Sequence, residues 1–344
     1  MTLGYARALI TGLGGQDGAL LAAHLLRAGV DVIGTHRPQR AFDAWRLREL
    51  GIDAHPRLRL AALDPTDAAA CAELVAATQP QALFHLAGQS RVAESFRDPQ
   101  ASLVANGLST VHLLDAVRAH APAARLVLAA SAEIFGVPTT APQDEATPLA
   151  PQSPYGLSKL LAHAAVGSWR ASYGLRASSA ILFNHESEWR DEAFVTRKLS
   201  RAVARIALGR IDRVELGNLD ARRDFGYAPD HVAAMAAMAA RDAGADYVLA
   251  TGVAMSVRDF ATAAFAAAGI RIDWFGEGAD EVGVEHGSDR VRVRVDADLF
   301  RPVDAPLRVG DATKARRELG FAPSLDLAGL ARRMVEADLA RERA

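Results

Sequence analysis

Tyr155-Gly156-Leu157-Ser158-Lys159 places a phenol and an ammonium four positions apart. Ser153 and Pro154 ahead of them are a good N-cap and a good first helical residue, so the pair lies one turn apart on a single helix face. An ammonium beside a phenol favours the phenolate, which suits the tyrosine to act as a base near neutral pH. A second pair, Ser131 and Glu133, leaves the apolar run 126–130. If the chain stays extended there, i and i+2 share a face, and a hydroxyl and a carboxylate project together at the strand end. The hydroxyl can hold a sugar oxygen and the carboxylate can take a carbon-bound proton; an ordinary surface Ser and Glu is the plainer alternative.

Gly12, Gly15 and Gly18, in Thr11-Gly12-Leu13-Gly14-Gly15-Gln16-Asp17-Gly18, have the spacing GxxGxxG between a strand and a helix. Glycine there allows a tight turn, close backbone approach to a pyrophosphate and close helix–strand packing, with the helix start offering N–H groups to the phosphates. The next strand ends in Gly34-Thr35-His36-Arg37 with no carboxylate to hold a ribose. Arg37 can pair with a 2′-phosphate, which favours NADP, with NAD possible. Further on, Arg197, Lys198, Arg201 and Arg205, followed by Arg222-Arg223-Asp224, form a basic cluster. It suits either a diphosphate or a solvated helix face.

Short apolar runs at 8–11, 30–33, 58–60, 82–86, 126–130, 180–183 and 247–250 alternate with helical segments, among them 66–78 and 101–120. Strands separated by such helices predict right-handed βαβ crossovers and an α/β fold: a Rossmann-type doubly wound parallel sheet with a smaller α/β substrate-binding lobe. The expected division is a dinucleotide-binding domain over 1–183 with 224–254 returning to it, and a lobe over 184–223 and 255–344. The chain has 344 residues, half of them apolar, with 39 Lys+Arg against 41 Asp+Glu and a net charge of −2. That balance gives no basic footprint for nucleic acid, and no apolar run is long enough for a membrane span, so neither partner is expected. One cysteine, Cys71, reads as a buried apolar residue, and ten scattered histidines without ligand spacing predict no metal. The expected location is the cytoplasm.

Taken together these motifs resemble the extended short-chain dehydrogenase/reductase superfamily and, within it, the GDP-mannose 4,6-dehydratase family. The resemblance also rests on Leu86-Ala87-Gly88-Gln89-Ser90, Asn184-His185-Glu186-Ser187, Phe194-Val195-Thr196-Arg197-Lys198, Leu216-Gly217-Asn218-Leu219-Asp220-Ala221 and Gly310-Asp311-Ala312-Thr313-Lys314. It implies catalytic roles for Ser131, Glu133, Tyr155 and Lys159. NADP contacts would fall on Gly12, Gly15, Gln16, Asp17, Gly18, Arg37, Asp64, Leu86, Ala87, Gln89, Lys159, His185 and Arg190. Substrate contacts would fall on Asn184, Arg197, Lys198 and Arg223. The implied substrate is a nucleotide sugar, GDP-linked, and the implied assembly a homodimer or homotetramer. Three departures stand out: Ala132 where the family has serine, Arg37-Pro38 in place of paired arginines, and Glu188-Trp189-Arg190-Asp191 in place of Pro-Arg-Arg-Gly. Ala132 cannot donate a proton, which leaves open a C4 epimerase using the same Tyr/Lys pair, and behind it a non-enzymatic NADP-binding scaffold.

Overall fold

A computed structural model describes residues 3–39, 41–138, 140–299 and 307–344. The chain divides into two compact units, 1–182 with 228–249 and 311–322, and 183–227 with 250–310 and 323–344. The first is built on strands β1 (Arg7–Thr11), β2 (Asp31–His36), β3 (Leu58–Ala62), β4 (Ala82–His85), β5 (Arg125–Ala129) and β6 (Arg176–Leu182). With the strand Tyr247–Leu249 they form one seven-stranded sheet, every pairing parallel, in the order Tyr247–Leu249, β6, β5, β4, β1, β2, β3. The chain steps from β1 outward through β2 and β3, then returns to β4 on the other side of β1. That reversal is the switch point at which open α/β sheets bind ligands, outside the carboxyl ends of the strands. Ala8, Leu9 and Ile10 in β1 and Ala82, Leu83 and Phe84 in β4 are fully buried, as continuous apolar runs in a two-faced parallel sheet should be.

Helix α1 (Gln16–Arg27) buries Leu20, Leu21, Leu25 and Leu26 and packs on the Ala228–Ala239 helix. The helix expected over 101–120 is in three pieces: a turn at Pro99–Ser102, a π-helical segment at Leu103–Leu108, and an α-helix at Ser109–His120. Cys71 is a buried free thiol.

The second unit carries two four-stranded sheets. Its helices Val195–Ala207, Val257–Ala267 and Leu327–Arg343 pack around Leu199, Val203, Phe260, Phe265, Met334 and Val335. Its bounds differ from the expected division at 183, 224–227 and 250–254, which cluster with it, and at 311–322, which cluster with the first unit. The return is anchored by polar contacts that periodicity does not show. Lys314 Nζ donates to the Asp246 carbonyl at 2.8 Å, and the Tyr247 hydroxyl donates to Glu318 at 2.9 Å. Among the described residues, no helix is long and apolar enough to cross a membrane.

Candidate active site

The first unit gathers its reactive groups at the carboxyl ends of β1, β4 and β5. β1 runs into Gly12, which has φ +79°. A Cβ on Gly12 would lie 2.9 Å from the backbone of Ala87, and one on Gly18 would lie 2.3 Å from the Gly12 carbonyl oxygen. Both positions therefore need glycine for the turn to close on the 86–89 loop and for α1 to start. Gly15 caps α1 without a side-chain bond, so the positive end of the helix is presented as backbone. Gln16 Nε2 donates to Asp17 at 2.9 Å. The Gln89 side-chain oxygen is buried with no hydrogen-bond partner. A helix start with a glycine cap, closed on the loop that carries the buried Gln89 amide oxygen, fits a nicotinamide dinucleotide, an anionic diphosphate carrying hydrogen-bonding groups. Beyond β2, Arg37 is exposed. The Thr66 hydroxyl, 2.8 Å from Asp64, and more weakly the charge of Arg37 hold the Asp64 carboxyl below the usual carboxylate range.

The Pro154–Tyr173 helix starts as its sequence predicts: Ser153 Oγ accepts the Gly156 N–H at 3.0 Å, and Pro154 is the first helical residue. Tyr155 and Lys159 are both buried. Lys159 Nζ lies 6.0 Å from the Tyr155 ring centroid and donates to the Ala129 carbonyl at 2.8 Å, which ties the helix to the last residue of β5. Burial pulls the Lys159 pKa down to about 8, with the Asp17 carboxylate partly opposing. Near neutral pH the group is still an ammonium.

Ser131 and Glu133 do not share an extended face. Ser131 is extended (φ −151°, ψ 147°), but Glu133 sits in a 3₁₀ turn over Ala132–Phe135 that Ser131 caps, its Oγ accepting the Glu133 N–H at 3.2 Å. A Ser two residues before an acid is a capping pattern as much as a strand pattern, and capping prevails because β5 ends at Ala129. The turn closes on the Tyr155 helix. A Cβ on Gly156 would lie 2.7 Å from the Glu133 carbonyl oxygen, so glycine beside the tyrosine permits the approach. Ala132 is buried within the turn. Asn106, which no spacing pattern marks, joins these parts from the π-helical segment. Its side chain brackets the Gln89 backbone (2.9 and 3.0 Å) and donates to Ser158 Oγ at 2.8 Å, and Ser158 donates to the Tyr155 carbonyl at 2.7 Å.

The second unit holds the other candidates. His185 is buried and Asn184 half-buried. His185 Nδ1 lies 2.7 Å from the Phe183 carbonyl, which can only accept, so Nδ1 carries a proton. Arg190 pairs with the buried Glu186 at 3.2 Å and stacks on Phe194, its guanidinium carbon 3.7 Å from the ring centroid. The basic cluster divides. Arg197, expected with Lys198 at a diphosphate, is instead buried in an ion pair with Asp338, because consecutive helical residues face different sides. Burial lowers the Arg197 pKa, and Asp338 opposes that shift. Lys198 is exposed, donates to the Glu215 carbonyl at 2.6 Å, and lines a cavity of about 620 Å³ with Arg201, Arg205, Arg213 and Glu215. Arg223 is half-buried and donates to the Arg222 carbonyl at 2.8 Å.

Residues 9–334 match the family model described as GDP-mannose 4,6 dehydratase. A GDP-mannose 4,6-dehydratase from Sinorhizobium fredii is 42% identical over 337 residues, covering 96% of each chain. The solved structure of DesIV, a dTDP-glucose 4,6-dehydratase from Streptomyces venezuelae with NAD and TYD bound, superposes with a TM-score of 0.81 at 24% identity, covering 98% of this chain and 97% of that one. The structure of RMD from Pseudomonas aeruginosa complexed with NADPH gives 0.77 at 24% identity, covering 98% and 99%. Both structures share the fold. With nearly its whole length matched, this chain belongs to the GDP-mannose 4,6-dehydratase family.

Proposed function

We propose that the protein is an NADP-dependent nucleotide-sugar 4,6-dehydratase that converts GDP-mannose to the 4-keto-6-deoxy sugar. The observation that carries this reading is the closure of the Glu133 turn on the helix bearing Tyr155 and Lys159. It supports reading Tyr155 and Lys159 as the alcohol-oxidising pair and Glu133 as the second base. Tyr155 takes the O4 proton while the ammonium of Lys159 stabilises the phenolate, and Ser131 holds O4. NADP, which the Gly12–Gly18 turn and Arg37 would hold, would supply a hydride acceptor for C4 and a hydride donor for C6. The 4-ketone makes the C5–H bond acidic, so Glu133 removes that proton and delivers one to the departing O6 hydroxyl, which leaves as water. C5 then regains a proton as C6 is reduced, matched by the O4 proton that Tyr155 gives up, which restores the phenolate. Substrate plus enzyme thus becomes product, water and enzyme in its starting state.

NADP is favoured over NAD by Arg37 beyond β2, where no carboxylate stands to hold a free ribose. Lys198 and Arg223 are the cations assigned to the substrate diphosphate. Leu108, Leu157 and Leu161 are exposed on two helical segments of the first unit and support self-association as a homodimer. Ala132, with no proton to give, favours a second reading, a C4 epimerase that needs no acid near O6. Mass spectrometry after incubation with GDP-mannose separates the two: a product lighter by one water is the dehydratase outcome, and an isomer of unchanged mass is the epimerase outcome.

A further inference from the structure

His85, the last residue of β4, is 2% exposed and stands in register opposite Thr11, the last residue of β1. Its Nδ1 lies 2.8 Å from Thr11 Oγ1 and its Nε2 lies 3.1 Å from Ser109 Oγ. Thr11 Oγ1 also accepts the N–H groups of Leu86 and Ala87, each at 3.1 Å. With both lone pairs of that oxygen occupied, its hydrogen points to Nδ1, which must be bare. The ring proton therefore sits on Nε2 and is donated to Ser109, whose own hydrogen goes to the Ala105 carbonyl at 2.7 Å. A second ring proton would face a hydroxyl with no lone pair left. The charge acting on His85 is that of Lys159, from the Pro154–Tyr173 helix, which Asp17 on α1 in turn partly offsets. Burial, and then the charge of Lys159, push the His85 pKa down to about 3.

We propose that His85, as the uncharged Nε2–H tautomer, is a positioning residue with two separable arms. Through Thr11 it fixes the 86–89 loop against the glycine turn, and through Ser109 it fixes the π-helical segment whose Asn106 supports the start of the Tyr155 helix. The first arm bears on dinucleotide binding, the second on turnover, and the assignment of those effects rests on the cofactor-dependent reading above. An uncharged imidazole also lets Lys159 keep its proton nearby, which a second buried cation would oppose.

The arms can be cut one at a time. In His85→Asn the amide oxygen occupies the place of Nδ1 and can accept from Thr11, whereas in His85→Gln the amide nitrogen occupies the place of Nε2 and can donate to Ser109. Fluorescence titration with NADP should give H85N near-wild-type affinity with reduced kcat. H85Q should bind NADP about tenfold more weakly, the loss expected for one buried hydrogen bond. Equal loss of NADP affinity in both variants overturns the proposal. Independently, ¹⁵N NMR of histidine-labelled wild type, with the His85 signal assigned by its absence in H85N, should show a bare Nδ1, a protonated Nε2 and no titration between about pH 5 and 8. A proton on Nδ1, or titration in that window, overturns it as well. If the wild type binds no NADP, the cofactor reading fails while the NMR arm still decides the tautomer.

Discussion

Replacing Lys159 with methionine should abolish turnover and yet make the apoprotein more stable at neutral pH. The ordinary lysine pKa of 10.5 falls to about 8 at this buried site, a depression of about 2.5 pH units. At 1.36 kcal/mol per unit, holding the ammonium there costs about 3 kcal/mol. The pH dependence follows from proton binding. Below pH 8 both folded and unfolded chains carry the proton and the full cost is present. Between pH 8 and 10.5 only the unfolded chain binds it, so this group makes stability rise with pH; above 10.5 the cost is gone. Methionine removes the cost but also the hydrogen bond to the Ala129 carbonyl, a loss of about 1 kcal/mol. K159M should therefore be about 2 kcal/mol more stable than wild type at pH 7 and about 1 kcal/mol less stable near pH 10.5. Urea unfolding of both proteins across that range, without cofactor, gives the difference directly, and other titrating groups cancel in it. A constant difference, or a variant less stable than wild type at pH 7, would refute the view that the fold carries a buried ammonium at a cost in stability for the sake of Tyr155.

Gly18→Ala places a Cβ 2.3 Å from the Gly12 carbonyl oxygen and 2.8 Å from Leu13 Cα, backbone atoms that cannot move cheaply. Calorimetry should show NADP binding lost and stability lowered by about 1–3 kcal/mol. Asp338→Ala leaves Arg197 charged and unpaired in the core of the second unit and also removes the 2.6 Å acceptor of Ser200. Urea midpoints should report a loss of about 3–5 kcal/mol, with Arg197→Met/Asp338→Leu recovering most of it. Asp224 collects hydrogen bonds from Thr251, Gly252 and Gly310 at 2.6–3.3 Å. Asp224→Ala, which strands those donors, should lower the melting temperature more than Asp224→Asn.

Local rules made the dinucleotide turn and the Tyr155 helix readable in the sequence, because their determinants lie within a few residues. The glycines are required by contacts inside the turn, and Ser153 and Pro154 set the start of the helix. The alternation of apolar runs and helices likewise carried the parallel sheet. Other features depend on residues far apart in the chain. The buried partner of Arg197 lies in the last helix, so charge spacing alone groups it with solvent-facing neighbours. Residues 311–322 look like part of the terminal lobe until Lys314 is found on the Asp246 carbonyl and Glu318 on the Tyr247 hydroxyl. Ser131 and Glu133 were identifiable as a pair, but their geometry depended on whether strand or cap prevailed, and capping did. His85 closes an apolar strand with a polar residue, a signal present in the sequence that gains meaning only when Thr11 and Ser109 flank it.

The measurement that bears most directly on the central claim is NMR of the purified protein turning over GDP-mannose in deuterated water, alongside Glu133→Gln. A 4-keto-6-deoxy product with deuterium at C5 is expected from the wild type, and at least a thousandfold slower formation is expected from E133Q, in the range of losses when a catalytic proton-transfer group is removed. GDP-mannose left unchanged, a C4 epimer without loss of water, or an E133Q variant that still exchanges C5 at the wild-type rate would contradict the account.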